Sequence, residues 1–163
     1  MKGNSLCFDV FLRAPRLKTY MLLLAKHIPN DRTFTFCGTP NYTCPEVIGN
    51  QGHGCGVDLW ALGVVVYEMI SGDNPFYYDG LPEMQLLEDI VHNEPEPLGD
   101  EFSDEVKDLV SKLLIKDPDA RLGCSKIGNK DVIRHPWFRD VDLARARDKL
   151  MAAPFIPSAS ETS

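Results

Sequence analysis

Phosphate handling leaves a mark in sequence, and the one stretch here that could cradle a phosphate is Gly52-His53-Gly54-Cys55-Gly56. It lacks the third glycine of the G-x-G-x-x-G pattern, no strand reads before it and no Gly-Lys-Ser/Thr comes after it, so it is a poor phosphate loop. Thr35 lies in a polar loop beside Arg32. By itself it reads as an ordinary loop threonine. Metal chemistry needs ligands at close, repeated spacing. His27, His53, His92 and His135 are scattered, and Cys7, Cys37, Cys44, Cys55 and Cys124 contain no C-x-x-C pair. The cysteines read as free thiols of a reducing compartment.

A chain of 163 residues with 44% hydrophobic content builds one core. Its net charge of -7 and pI near 5.0 argue against nucleic acid and suit basic partners. Asp9 interrupts the apolar stretch from Leu6 to Leu12, and no small-residue cleavage site comes after it, which argues against a signal peptide. Met21 to Ala25 is far short of the ~20 apolar residues that span a bilayer. The expectation is a cytoplasmic protein with no membrane span.

The elements that must position any site are helical. Residues 1–31 form a poorly specified lead-in that ends near the turn-forming Pro29-Asn30-Asp31. Val57 to Ser71 is apolar nearly all round with Gly72 at the C-cap, which predicts a buried helix. Leu81 to His92 predicts a second, with Pro82 near its first turn. Ser103 caps a third, whose stripe is Val106, Leu109, Val110, Leu113 and Leu114 and which Pro118 ends. A short helix is predicted over Asp131 to Arg134.

Arg32 to Pro40 (RTFTFCGTP), Pro45-Glu46, Val57 to Gly63 (VDLWALG), Asp117 to Gly123 (DPDARLG), His135 to Phe138 (HPWF) and Ala153 to Pro157 (APFIP) succeed one another in a fixed order. On these motifs the chain resembles the large lobe of AGC-group serine/threonine protein kinases, the cyclic-nucleotide-dependent kinases above all. The resemblance implies a mainly α fold: the helical large lobe, without the small β-rich lobe or catalytic loop. It implies a partial kinase large lobe over 32–140 and an extended AGC-type C-terminal tail over 141–163.

The same resemblance assigns roles. Thr35 matches an activation-loop phosphosite, and Thr39 a threonine that bonds to the catalytic loop. Phe36, Pro40 and Thr43 fall where the family holds the residue after the phosphoacceptor, although Thr43 and Cys44 stand where this group carries leucine and alanine. Glu68 matches a glutamate that binds an arginine upstream of the phosphoacceptor, a charge-assisted contact, while Asn41 replaces a glutamate that shares that duty. Glu46 and Arg121 match a buried ion pair. Asp58 matches an aspartate beneath the catalytic loop, although capping the central helix is the simpler role.

Kinase chemistry also needs a Gly-rich loop, a strand lysine, H-R-D-L-x-x-x-N and D-F-G. Ala25-Lys26-His27 resembles the residues just C-terminal to D-F-G, yet Met21 to Leu24 reads MLLL where the magnesium-binding aspartate belongs. Catalytic, cofactor-binding and metal residues are therefore expected to be absent from this chain, ATP and Mg belonging to the complete family enzyme. The family reaction is ATP-dependent phosphorylation of protein Ser/Thr in basic contexts, and the chain as given is expected not to catalyse it. The alternative is a non-catalytic module that binds a peptide or partner. The expected partners are a basic protein or peptide, a regulatory subunit, or the missing small lobe.

Overall fold

The computed structural model describes residues 33–34, 38–125, 128, 130–148 and 150–151. Among the described residues six helices succeed one another: α1 (Pro45–Ile48), α2 (Gly56–Ser71), α3 (Glu83–His92), α4 (Asp104–Leu113), α5 (Lys130–Ile133) and α6 (Leu143–Arg147). Short 3-10 turns cover Pro40–Tyr42 and Pro136–Phe138. The only β pairing among the described residues is an isolated antiparallel bridge between Thr33 and His53. The fold is mainly α.

Helix α2 is the axis. It buries Leu59, Trp60, Gly63, Val64, Val66 and Tyr67 and ends at Gly72, whose left-handed φ of 84° lets its N–H close on the Glu68 carbonyl. Helix α4 packs across it because Gly63 has no side chain: a Cβ there would stand 2.9 Å from Leu113 Cβ and Leu114 Cδ2. The main core joins Trp60, Val64 and Tyr67 of α2 to Leu86 and Ile90 of α3 and to Val106 and Val110 of α4. Leu59, Leu109, Leu113 and Val132 form a second cluster on the other side of α2.

Local starts and stops differ in places from the sequence reading. Helix α3 begins at Glu83 rather than Leu81, with Pro82 as its N-cap. Ser103 does cap α4, its hydroxyl accepting from the Val106 N–H at 3.4 Å. That helix stops at Leu113, before Pro118, because the carbonyls of Ile115 and Lys116 turn to accept from the Arg121 guanidinium. Within the tail expected to be extended, Asp142 accepts from the Arg145 N–H at 3.0 Å and starts the single turn of α6. Asp58 is not a cap: Cys55 holds that position without a side-chain bond, and Asp58 sits within the first turn of α2.

Candidate functional site: an acidic cleft beside the central helix

The turn Pro40–Tyr42 packs against both α2 and α3, which fixes where its side chains point. Thr39 precedes it and is exposed; its carbonyl accepts from the Tyr42 N–H at 3.1 Å and the Thr43 hydroxyl at 3.2 Å. Thr43 and Cys44 are both buried. The polar hydroxyl of Thr43 is thereby spent on backbone, so a threonine at this place leaves no unanswered polar atom facing the core. Burial, then the neighbouring Glu46 carboxylate, pushes the Cys44 thiol up to about 12.

Tyr42 reaches across to Glu68 near the end of α2, its hydroxyl donating to Oε2 at 2.8 Å. That bond is the main reason the Tyr42 phenol is harder to ionise than usual. The other carboxylate oxygen, Oε1, accepts from Asn74 Nδ2 at 2.9 Å. Glu68 thus stands between two neutral donors at the wall of a cleft of about 820 Å³. The lining carries Glu68, Asp73, Asp79, Asp89, Glu94 and Glu96 together with Asn41, Tyr67, Phe76, Tyr77 and Tyr78, and, among the described residues, no lysine, arginine or histidine. A wall of carboxylates and aromatic rings attracts cations by charge and by ring face.

Away from the cleft lining, Glu46 at the start of α1 meets Arg121 in a forked pair, Nη1 to Oε1 at 2.7 Å and Nη2 to Oε2 at 2.9 Å. The guanidinium also donates to the carbonyls of Gly56 at 2.8 Å, Ile115 at 3.0 Å and Lys116 at 3.2 Å. All five of its N–H donors are used, which is what a buried guanidinium requires. The pair ties the segment after the turn to the start of α2 and the loop after α4. Asp58 carries no such tie. The residue is exposed, although the protein mass around its carboxyl pushes its pKa upward.

The structure brings Pro40, through its turn, to Glu68, and joins Glu46 to Arg121. Thr35 and Phe36 lie outside the described residues. Tyr42 and Asn74 are contacts that the sequence reading missed. Tyr42 is 26 residues from Glu68, a distance over which no periodicity speaks, whereas Asn74-Pro75 carried a turn signal that said nothing of its partner.

The glycine run packs closely on its surroundings: a Cβ on Gly52 would stand 2.9 Å from the Phe34 ring, and one on Gly56 would lie 3.0 Å from Cys124 Sγ and 3.3 Å from Arg121 Nη1. Among the described residues no group of three His, Cys, Asp or Glu side chains is placed to hold a metal ion. No described helix is long and apolar enough to cross a membrane.

With this geometry in view, residues 17–138 match the family model of the protein kinase domain. The chain belongs to the protein kinase domain family. Within that family it is AGC-like: it is 44% identical over 128 residues to the cAMP-dependent protein kinase catalytic subunit of Dictyostelium discoideum, covering 78% of this chain and 19% of the relative. It is 43% identical over 128 residues to the human cAMP-dependent protein kinase catalytic subunit PRKX, covering 78% and 35%. The serine/threonine-protein kinase gad8 of Schizosaccharomyces pombe is 42% identical over 130 residues, covering 78% and 22%. The chain thus spans between about a fifth and a third of the length of these relatives.

Proposed function

We propose that the chain is the peptide-recognising lower part of an AGC-type serine/threonine kinase domain, centred on 32–140 with a lead-in before it and a C-terminal tail from 141. The observation that carries this reading is Glu68, oriented by Tyr42 and Asn74 in a cleft lined by carboxylates and aromatic rings. A basic protein or peptide is its natural occupant, because a guanidinium forks onto a carboxylate with two charge-assisted bonds. Thr39, Pro40 and Phe36 border the same peptide, and Thr35 is the regulatory phosphosite of a cytoplasmic enzyme. The complete family enzyme uses ATP and Mg. In this chain the sequence motifs for nucleotide, metal and base are not found, and its own residues are assigned recognition alone.

Phosphoryl transfer depends on positioning and electrostatic stabilisation, so the chain alone is expected to bind and not to react. Purified protein incubated with labelled ATP, magnesium and an arginine-containing peptide should incorporate no phosphate above a blank, while the peptide binds saturably without ATP. Incorporation above blank refutes the first half of this reading, and absence of binding the second. The same carboxylate-lined cleft also suits a second reading: a non-catalytic module that holds a peptide, a regulatory subunit or a small lobe supplied separately. Saturable binding that persists in the presence of a full-length competitor kinase, without turnover, supports that module.

A further inference from the structure

We propose that Asn74 is a positioning residue for peptide recognition: its side-chain amide fixes the rotamer of Glu68, so that a preset carboxylate meets the cationic side chain of a bound peptide. This rests on the reading of the cleft given above. Asn74 is itself held by the core. Its Oδ1 accepts from the Phe76 N–H at 3.0 Å, and the Phe76 ring is buried and stacked on Trp60 at 5.7 Å between centroids. The amide has one orientation available, because a backbone N–H only donates and a carboxylate only accepts. Nδ2 is therefore aimed at Glu68 Oε1, 2.9 Å away.

Both donors on Glu68 are neutral, the Asn74 amide on Oε1 and the Tyr42 phenol on Oε2. They orient the carboxylate without cancelling its charge, which a lysine or arginine at position 74 would do. Each carboxylate oxygen has a second lone-pair direction, so both remain able to accept from a guanidinium. A glutamate free to rotate would lose side-chain entropy on capturing its ligand. The clamp removes that loss before binding.

The test measures binding of a fluorescent peptide carrying two adjacent arginines, and of the same peptide with both replaced by neutral citrulline, by anisotropy on the whole chain. The parental protein should prefer arginine, and Glu68→Gln should lose the preference. Asn74→Leu should reduce it about tenfold, the order of one hydrogen bond to a charged group, in protein that still unfolds cooperatively, at a lower melting temperature because the Phe76 N–H loses its acceptor. Asn74→Ser keeps a hydroxyl that can accept from the Phe76 N–H but is too short to reach Glu68. Its arginine preference should fall about as far as in Asn74→Leu. An unchanged preference in either variant overturns the role of Asn74 while Glu68→Gln still shows its effect. Should Asn74→Leu fail to fold, Asn74→Ser decides. Equal binding of both peptides by the parent, or by parent and Glu68→Gln alike, overturns the underlying reading as well.

Discussion

Replacing Arg121 with methionine, or Glu46 with leucine, is expected to remove about 3–5 kcal/mol of unfolding free energy in either single variant, because each leaves its partner's charge buried and unanswered. The size comes from the site. Arg121 is 1% exposed and Glu46 4%, and each side of the pair is met by two bonds of 2.9 Å or less. Against a total stability of about 5–15 kcal/mol for a domain, such a loss is a large fraction. In the double variant both charges leave together, so its loss should fall well short of the sum of the singles. Urea unfolding monitored by helix ellipticity, on all four proteins, gives the coupling. A double variant that loses the full sum would refute the reasoning.

Acid supplies a second check on the same pair. Burial alone would raise the Glu46 carboxyl, but the hydrogen bonds and charge of Arg121 outweigh it and hold the group below its ordinary value of 4.5. A carboxyl depressed in the folded state adds stability that is present above the unfolded pKa and is lost as pH falls through the folded one. The stability gap between the parent and Glu46→Leu should therefore be constant above about pH 5 and narrow below it. A gap that widens on acidification would contradict the assigned direction.

Three further outcomes can be measured directly. Gly63→Ala should cost about 1–3 kcal/mol and lower the melting temperature, since the new methyl overlaps Leu113 and Leu114; an unchanged melting temperature would show that the helices part freely. Ser103→Ala should cost about 0.5–1 kcal/mol, the low end for a lost cap, in keeping with its 3.4 Å bond to Val106. Iodoacetamide should label exposed Cys55 well before Cys44, which is buried with a thiol pushed up to about 12. Mass spectrometry of the labelled peptides reads the order, and early labelling of Cys44 would sink the assignment.

Much of the helical frame was legible because its signals are local. Gly72 announced the end of α2, Ser103 the start of α4, and the stripe from Val106 to Leu113 its buried face. The early stop of α4 was not, because it depends on Arg121 drawing two carbonyls from a loop that no helical pattern mentions. Glu46 and Arg121 lie 75 residues apart; family motifs, and not periodicity, put them side by side. The site was legible in the same uneven way. Glu68 stood out by motif, whereas its two clamps, Tyr42 and Asn74, are set by how the Pro40–Tyr42 turn packs on α2 and α3, which is a fact of tertiary packing.

Trp60 and Trp137 are the two tryptophans of the chain, and they differ in a way that gives the protein its own optical gauge. The Trp60 indole is 0% exposed, with the Arg121 guanidinium 5.2 Å from its ring centre, whereas Trp137 is 37% exposed. Emission from the first reports a dry, cation-lined interior, and emission from the second reports water. Loosening of the forked pair should shift the short-wavelength component before the helices melt, so that the innermost joint can be watched in solution without adding any dye.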